Sequence, residues 1–341
     1  VRNSHLVIEA NDRYVLGRPR IDEIEIKFLP DANALSANLL AGAVELTLGQ
    51  NLGLEAAQQV ANQWREGKLE TSQAGGNPLT LFPQLINPQP AVLSDVRFRR
   101  ALYHAIDRQE IVDSIMAGRA GIAHGILWKP GDREYPDIES SIVRYPYDPA
   151  RAARLIEEIG YSKGADGFYQ EPPGRASGGR LSVEVRTLSQ TDSSVRALLP
   201  VADYWKRVGV DVETLVVPEQ RTADREYRAT RPGFDMTRIP PDITRFTSKE
   251  TPLPENQFRG ANRARYMNPD FDAAVDAYFM TIPWQERMRH LGRIVNMLTD
   301  EVIAITLFFE ITPAMIGNRL ENVRGGSRGT QVWNAQEWDV R

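Results

Sequence analysis

One stretch of the chain leaves few folds open. Residues 181–187 read LSVEVRT, with Leu181, Val183 and Val185 alternating against polar neighbours, the period of a β-strand. Residues 193–208 then carry Val195, Leu198, Leu199, Ala202 and Trp205 along one side, the period of a helix. Gly209 ends that helix, and VDVETLVV (210–217) returns to an extended pattern. A strand, a helix and a strand joined this tightly predict two parallel neighbours with a right-handed crossover. Pro200 falls inside the helix and predicts a kink or a later start. FDMTRI, from Phe234, supplies a further strand, and IAITLFF (303–309) a buried closing one.

The same alternation holds on either side. Ile24, Ile26 and Phe28 share one face of a strand within 21–29. Asp31 can cap a helix over 32–41, Gly42 ends it, and AVELTL (43–48) is extended, so a second βαβ unit is expected there. Residues 54–64 read as helical and 80–87 as extended. Ser94 or Asp95 caps a helix with Phe98, Leu102, Ala105 and Ile106 on one face, and Asp107 restarts a second that ends at Gly118. A long loop is expected over 121–147. Asp148-Pro149 opens another helix, which stops at Gly160. Residues 162–180, rich in Gly, Pro and charge, read as an exposed hairpin or loop. Asn268-Pro269 opens a last helical pair, broken at Pro283. For 341 residues this predicts an α/β protein of about two domains with mostly parallel sheets.

Charge and residue usage narrow the function classes. Formal net charge is −4, with 41 Lys and Arg scattered among 45 acids, which gives no footprint for nucleic acid or an anionic membrane. There is no cysteine, so thiolate chemistry and disulfides are excluded. No apolar run approaches the roughly 18 residues of a membrane span. Val1 opens the chain without a signal-peptide pattern. The four histidines show no metal-ligand spacing, and His104 reads as a partly exposed helix residue. No GxSxG elbow, P-loop or HExxH is present, and Glu157 and Glu158 read as a solvated helix rim. No catalytic residue, cofactor or metal is expected, which favours a binding module. An α/β hydrolytic enzyme and a chaperone-like peptide binder stand as the alternatives.

Several blocks resemble the extracellular solute-binding proteins of family 5, the dipeptide, oligopeptide and nickel receptor class. GRPRIDEIEIKFLPDANALSANLLAGAVEL (17–46) is similar to that family's strand, helix and turn block. DVRFRRALYHAIDRQEIV (95–112) is similar to its most recognisable helix, and YPYDPARAARLIEEIGY (145–161) to the segment that follows. YMNPDFDAAVDAY (266–278) and the ending WNAQEWDV match later blocks in family order. The resemblance implies a type II periplasmic-binding-protein-like clamp of two lobes closing at a hinge. Residues 1–93 would be a partial first lobe, 94–313 the second, and 314–341 a return to the first. The first lobe's N-terminal part and a small extra domain would be missing. LFPQLIN and ITPAMIG would be the two crossings. The implied function is the substrate-binding component of an ABC importer. It would be a periplasmic or cell-surface monomer that delivers a peptide-like or other small solute to a membrane permease.

The resemblance also points to a site. In related receptors the segment after the Phe-Asp strand carries an aromatic-Gly-x-x-Asp pattern whose acid meets a ligand amine. Here it reads FDMTRIPPDITRF, with Asp242 in the acid's place, while Arg238, Pro240 and Pro241 depart from the pattern. An arginine there suits a carboxylate through bidentate bonding. GANRARY places Asn262, Arg263 and Tyr266 near the same edge, with Phe246 as an apolar wall. These six residues are the expected ligand contacts; the competing reading is that they are ordinary loop residues.

Overall fold

The strand pair expected over 181–217 is present. Ser182–Leu188 and Asp211–Val217 lie parallel, with Val183 opposite Val212 and Val185 opposite Thr214. Helix Asp192–Val208 joins them and runs through Pro200 instead of starting after it. Gly209 ends the turn at φ +101°, a left-handed backbone that disfavours any residue with a Cβ. Trp205 locks the unit. It is fully buried, its Nε1 donates to the Leu102 carbonyl at 2.9 Å, and its ring tilts against Phe234 at 5.0 Å. The structure is a computed structural model that describes residues 4–47, 52–72, 77–172, 179–188, 192–324 and 332–341. It divides into two compact units, Asn77–Phe309 and Val1–Gly76 with Glu310–Arg341.

In the larger unit the strand order is Ile305–Phe309, Pro78–Pro83, Phe234–Arg238, Ser182–Leu188, Asp211–Val217. Phe234–Arg238 is parallel to Ser182–Leu188, whereas Pro78–Pro83 runs antiparallel to both of its neighbours. The sheet is therefore mixed, and the expectation of mostly parallel sheets is corrected. Only the strands joined by a helix are forced parallel; Pro78–Pro83 reaches its partners from far along the chain, with no crossover to set direction. Alternation along Pro78–Pro83 feeds two cores: Leu79 and Leu81 pack with Leu102, Trp205 and Met236, and Phe82 packs with Phe246, Leu291 and Ile294. Helices Pro269–Met280 and Trp284–Asp300 supply the second core through Phe271, Val275, Leu291 and Leu298.

The caps read from sequence hold their helices. The Asp95, Asp107, Asp148 and Asn268 side chains accept backbone N–H groups at the starts of Val96–His104, Arg108–Met116, Pro149–Glu158 and Pro269–Met280. Two details differ. The loop over 121–147 contains a short helix, Tyr135–Ile138. His104 is buried at 2 % exposure, with Nδ1 2.7 Å from the Pro146 carbonyl oxygen, because its helix packs against the segment that leads into Pro149–Glu158. Two arginines of the same block are buried clamps on backbone. Arg99 donates to the carbonyls of Leu93, Glu301 and Val302. Arg108 donates to those of Tyr145 and Thr306.

In the smaller unit, His5–Glu9 pairs antiparallel with Glu23–Lys27, and Gly67–Ser72 with Thr312–Gly317. Leu46 makes a single bridge to Ile316. Among the described residues of 21–48 the expected βαβ unit is absent, residue 48 lying outside them: the strand turns back onto its near neighbour His5–Glu9, a pairing with a short loop to close. Asp31 does cap Ala32–Leu40, accepting from the Asn33 and Ala34 amides at 2.9 Å. The core here is small, built on Leu39, Leu52, Val60, Trp64 and Met315. The units part at 76/77 and 309/310, whereas the sequence set lobe boundaries at 93/94 and 313/314. LFP of LFPQLIN lies in a strand of the larger unit, and TPAMIG of ITPAMIG forms a strand of the smaller one.

Candidate ligand-binding site

Three parallel strands, Ser182–Leu188, Asp211–Val217 and Phe234–Arg238, point their carboxyl ends to one edge of the sheet. Open α/β sheets bind ligands outside that edge, because the loops leaving it are free to vary. Arg238 is the last residue of its strand and is half-buried. Two prolines follow, and Asp242 then caps the short 3₁₀ turn Ile243–Phe246. Its Oδ1 accepts from the Thr244 amide at 2.9 Å and from the Thr244 hydroxyl at 2.7 Å. Oδ2 has no hydrogen-bond partner among the described residues, and the side chain is exposed. The edge thus carries a guanidinium and an outward carboxylate four positions apart.

The other four expected contacts are engaged within the protein. Phe246 is buried, its ring 6.2 Å from Phe82 at 42°. Asn262 is wholly buried and acts as a post. Its Nδ2 is within hydrogen-bond distance of the Phe246, Thr247 and Tyr266 carbonyls and of the Thr251 hydroxyl, and its Oδ1 accepts from the Tyr266 amide. Those bonds fold the loop from Thr251 to Tyr266 onto the 3₁₀ turn. Tyr266 is buried edge-on to Phe271 at 5.6 Å, with its hydroxyl accepting from Asn268 at 2.6 Å, and burial raises its phenol above the ordinary range.

Arg263 takes a different direction. Its Nη1 donates to Asp235 Oδ2 at 2.5 Å, and the Asp235 carboxylate is almost fully enclosed. Burial alone would raise that carboxyl. The charge of Arg263, with Arg231 behind it, outweighs burial and holds it below the usual carboxylate range. Asp235 sits three residues before Arg238, roughly 10 Å along the strand, so Arg263 is anchored toward the opposite end from the Arg238–Asp242 edge. Arg238 and Asp242 thus stand four positions apart at the strand's end, whereas Phe246, Asn262 and Tyr266 are buried in the loop's own contacts and Arg263 pairs with Asp235. Sequence reasoning missed Asp235 and Arg231. The available signal was the density of arginine in REYRATR and RGANRAR, which period-based reading does not score.

Among the described residues, no three His, Asp or Glu side chains gather as metal ligands, and no helix is long and apolar enough to cross a membrane. The family model described as "Bacterial extracellular solute-binding proteins, family 5 Middle" matches residues 1–247. Oligopeptide-binding protein AppA of Bacillus subtilis is 24% identical over 345 residues, covering 99% of this chain. Heme-binding protein A of Haemophilus influenzae is 27% identical over 270 residues, covering 78% of it. The chain spans 59% and 45% of those two relatives' own lengths. Two solved structures align over nearly the whole chain. NikZ from Campylobacter jejuni, in complex with Ni(L-His), gives a TM-score of 0.81 at 19% identity, covering 99% of this chain and 66% of that one. The AppA structure from Bacillus subtilis, in complex with a nonapeptide, gives 0.76 at 20% identity, covering 100% and 65%. Both likenesses establish the fold, that of the type II solute-binding clamps, and with the match across residues 1–247 the chain belongs to the bacterial extracellular solute-binding proteins of family 5.

Proposed function

We propose that this chain is part of the substrate-binding component of an ABC importer, capturing a small solute outside the cytoplasmic membrane and handing it to a membrane permease. Family membership over residues 1–247 is the observation that carries this reading. The sequence carries no GxSxG elbow, P-loop or HExxH motif that would compete with it. The chemistry of that edge favours a zwitterionic, peptide-like solute. Arg238 offers a fork for a carboxylate, and the outward oxygen of Asp242 offers an acceptor for an amine. The curated relatives carry peptide-binding and heme-binding names; a peptide is the solute that uses both charges of the edge.

The experiment is a thermal-shift and calorimetric screen of the protein against short peptides, free amino acids and haem. Saturable binding of a peptide is expected. Arg238→Ala and Asp242→Ala should each weaken it by about 2–5 kcal/mol if each meets a ligand charge, since truncation leaves the partner charge unpaired. Peptide binding with unchanged affinity in both variants would refute the assignment of the site. Turnover of peptides or esters with no stoichiometric binding would refute the transport reading.

A further inference from the structure

A cavity of about 390 Å³ lies within the unit Asn77–Phe309, and seven of the residues lining it are arginines. Arg225, Arg228 and Arg231 come from the segment that leads into the strand Phe234–Arg238. Arg259, Arg263 and Arg265 come from the loop that Asn262 pins, and Arg245 comes from the 3₁₀ turn. No Asp or Glu lines it. Among the described residues these seven guanidiniums make one ion pair, Arg263 with Asp235. Glu250, beside the rim, spends an oxygen on the Ala261 amide at 3.1 Å.

Backbone carbonyls hold the arginines in place but neutralise none of them. Arg231, 2 % exposed, donates to the carbonyls of Phe82 at 3.0 Å and Arg263 at 2.6 Å, and its Nε is buried with no hydrogen-bond partner. Arg265 donates to the Pro252 and Ala229 carbonyls, and Arg228 to that of Thr222. The wall is tightly built. Gly260 stands at φ +133°, and a Cβ there would meet the Glu250 carbonyl oxygen at 2.1 Å. Burial, opposed by Asp235 and reinforced by Arg263, lowers Arg231 to about 10, so it stays cationic at neutral pH. A surplus of fixed guanidiniums around a space of this size repels cations and leaves N–H groups without acceptors. Planar, weakly hydrated forks of this kind match the oxygens of phosphates and carboxylates.

We propose that this cavity is a second binding site, for a small multivalent oxyanion of the phosphate or polycarboxylate class; neither Arg238 nor Asp242 lines it, and Arg245 reaches it from the turn that Asp242 caps. It lies against the amino-terminal half of the strand whose carboxyl end carries the Arg238–Asp242 edge. It requires no solute and no permease, so its failure and that of the transport reading are distinguishable.

The test is isothermal calorimetry and thermal unfolding of the full chain with inorganic phosphate and with citrate, against chloride at matched ionic strength. One-to-one binding and an upward Tm shift on the order of 5 °C near saturation are expected. Tighter phosphate binding assigns the phosphate class, and tighter citrate binding the polycarboxylate class. Arg228→Gln with Arg245→Gln should weaken binding at least tenfold while the unfolding midpoint in chloride stays near the parent's. If that double variant does not fold, the exposed single variant Arg259→Gln decides, with a smaller loss expected. Shifts no larger than those of chloride overturn the proposal, as does parental affinity in variants that fold.

Discussion

Arg263 Nη1 lies 2.5 Å from Asp235 Oδ2, tying the loop after Gly260 to the second residue of the strand Phe234–Arg238. This pair places the only carboxylate that any of the seven cavity arginines pairs with, among the described residues, on a buried strand position. Removing the acid should therefore cost more than an ordinary surface ion pair. Asp235→Asn is expected to destabilise the protein by about 3–5 kcal/mol in urea unfolding at pH 7, because it leaves buried cations unpaired. The pH dependence has a definite sign. The folded carboxyl is held below its unfolded value, so its stabilisation is complete above that unfolded value. It is lost as pH falls through the lower folded value. The gap between parent and variant should thus be flat from pH 5 to 7 and close only in stronger acid.

Asn262 is expected to be a stability residue. Its Nδ2, with two hydrogens to donate, is ringed at hydrogen-bond distance by the carbonyls of Phe246, Thr247 and Tyr266. Asn262→Ala should cost about 2–4 kcal/mol, since several buried acceptors lose their donor at once. Chemical unfolding measures it. A loss below about 0.5 kcal/mol, the range of a surface substitution, would refute the post role.

His124 should make the protein acid-sensitive. Burial, and then the adjacent charge of Arg108, lower it to about 4. Arg108 Nη2 lies 3.3 Å from its Nδ1, which must be bare to accept that bond. A lowered histidine leaves stability intact above its unfolded value near 6.5 and removes it as pH falls toward 4. Discounted for partial solvent screening, the effect is on the order of 1–2 kcal/mol. Urea midpoints at pH 7 and 4.5 should fall further apart in the parent than in His124→Gln.

The small unit carries exposed apolar side chains close together in sequence. Val15 is 89% exposed and Leu16 71%, and Leu6, Ile8 and Phe28 are also exposed. Such a surface is unusual on a soluble monomer. The protein should bind a hydrophobic dye at pH 7 in its folded state. Val15→Ser with Leu16→Ser should reduce dye fluorescence while changing stability by less than about 0.5 kcal/mol. Unchanged fluorescence would place the dye elsewhere.

Local signals in the sequence were sufficient for the capped helices and for one parallel pair. Asp95, Asp107, Asp148 and Asn268 cap what they were expected to cap, because a cap bonds amides two or three residues away. Val183 and Val212 meet because the helix between them leaves a single hand of crossover. Motif order was likewise enough to name the family. Tertiary structure alone decided the rest. Whether Pro78–Pro83 runs with or against Phe234–Arg238 depends on edges brought together from 150 residues apart, and no local pattern encodes that. Nor does any period govern an irregular loop, so nothing in GANRARY distinguishes a side chain facing solvent from one facing in. Asn262 turns inward because buried carbonyls there need a donor, and Arg263 follows the buried charge of Asp235. Arg238 and Asp242 remain at the sheet edge because the strand ends there and its last residues have no ladder left to join.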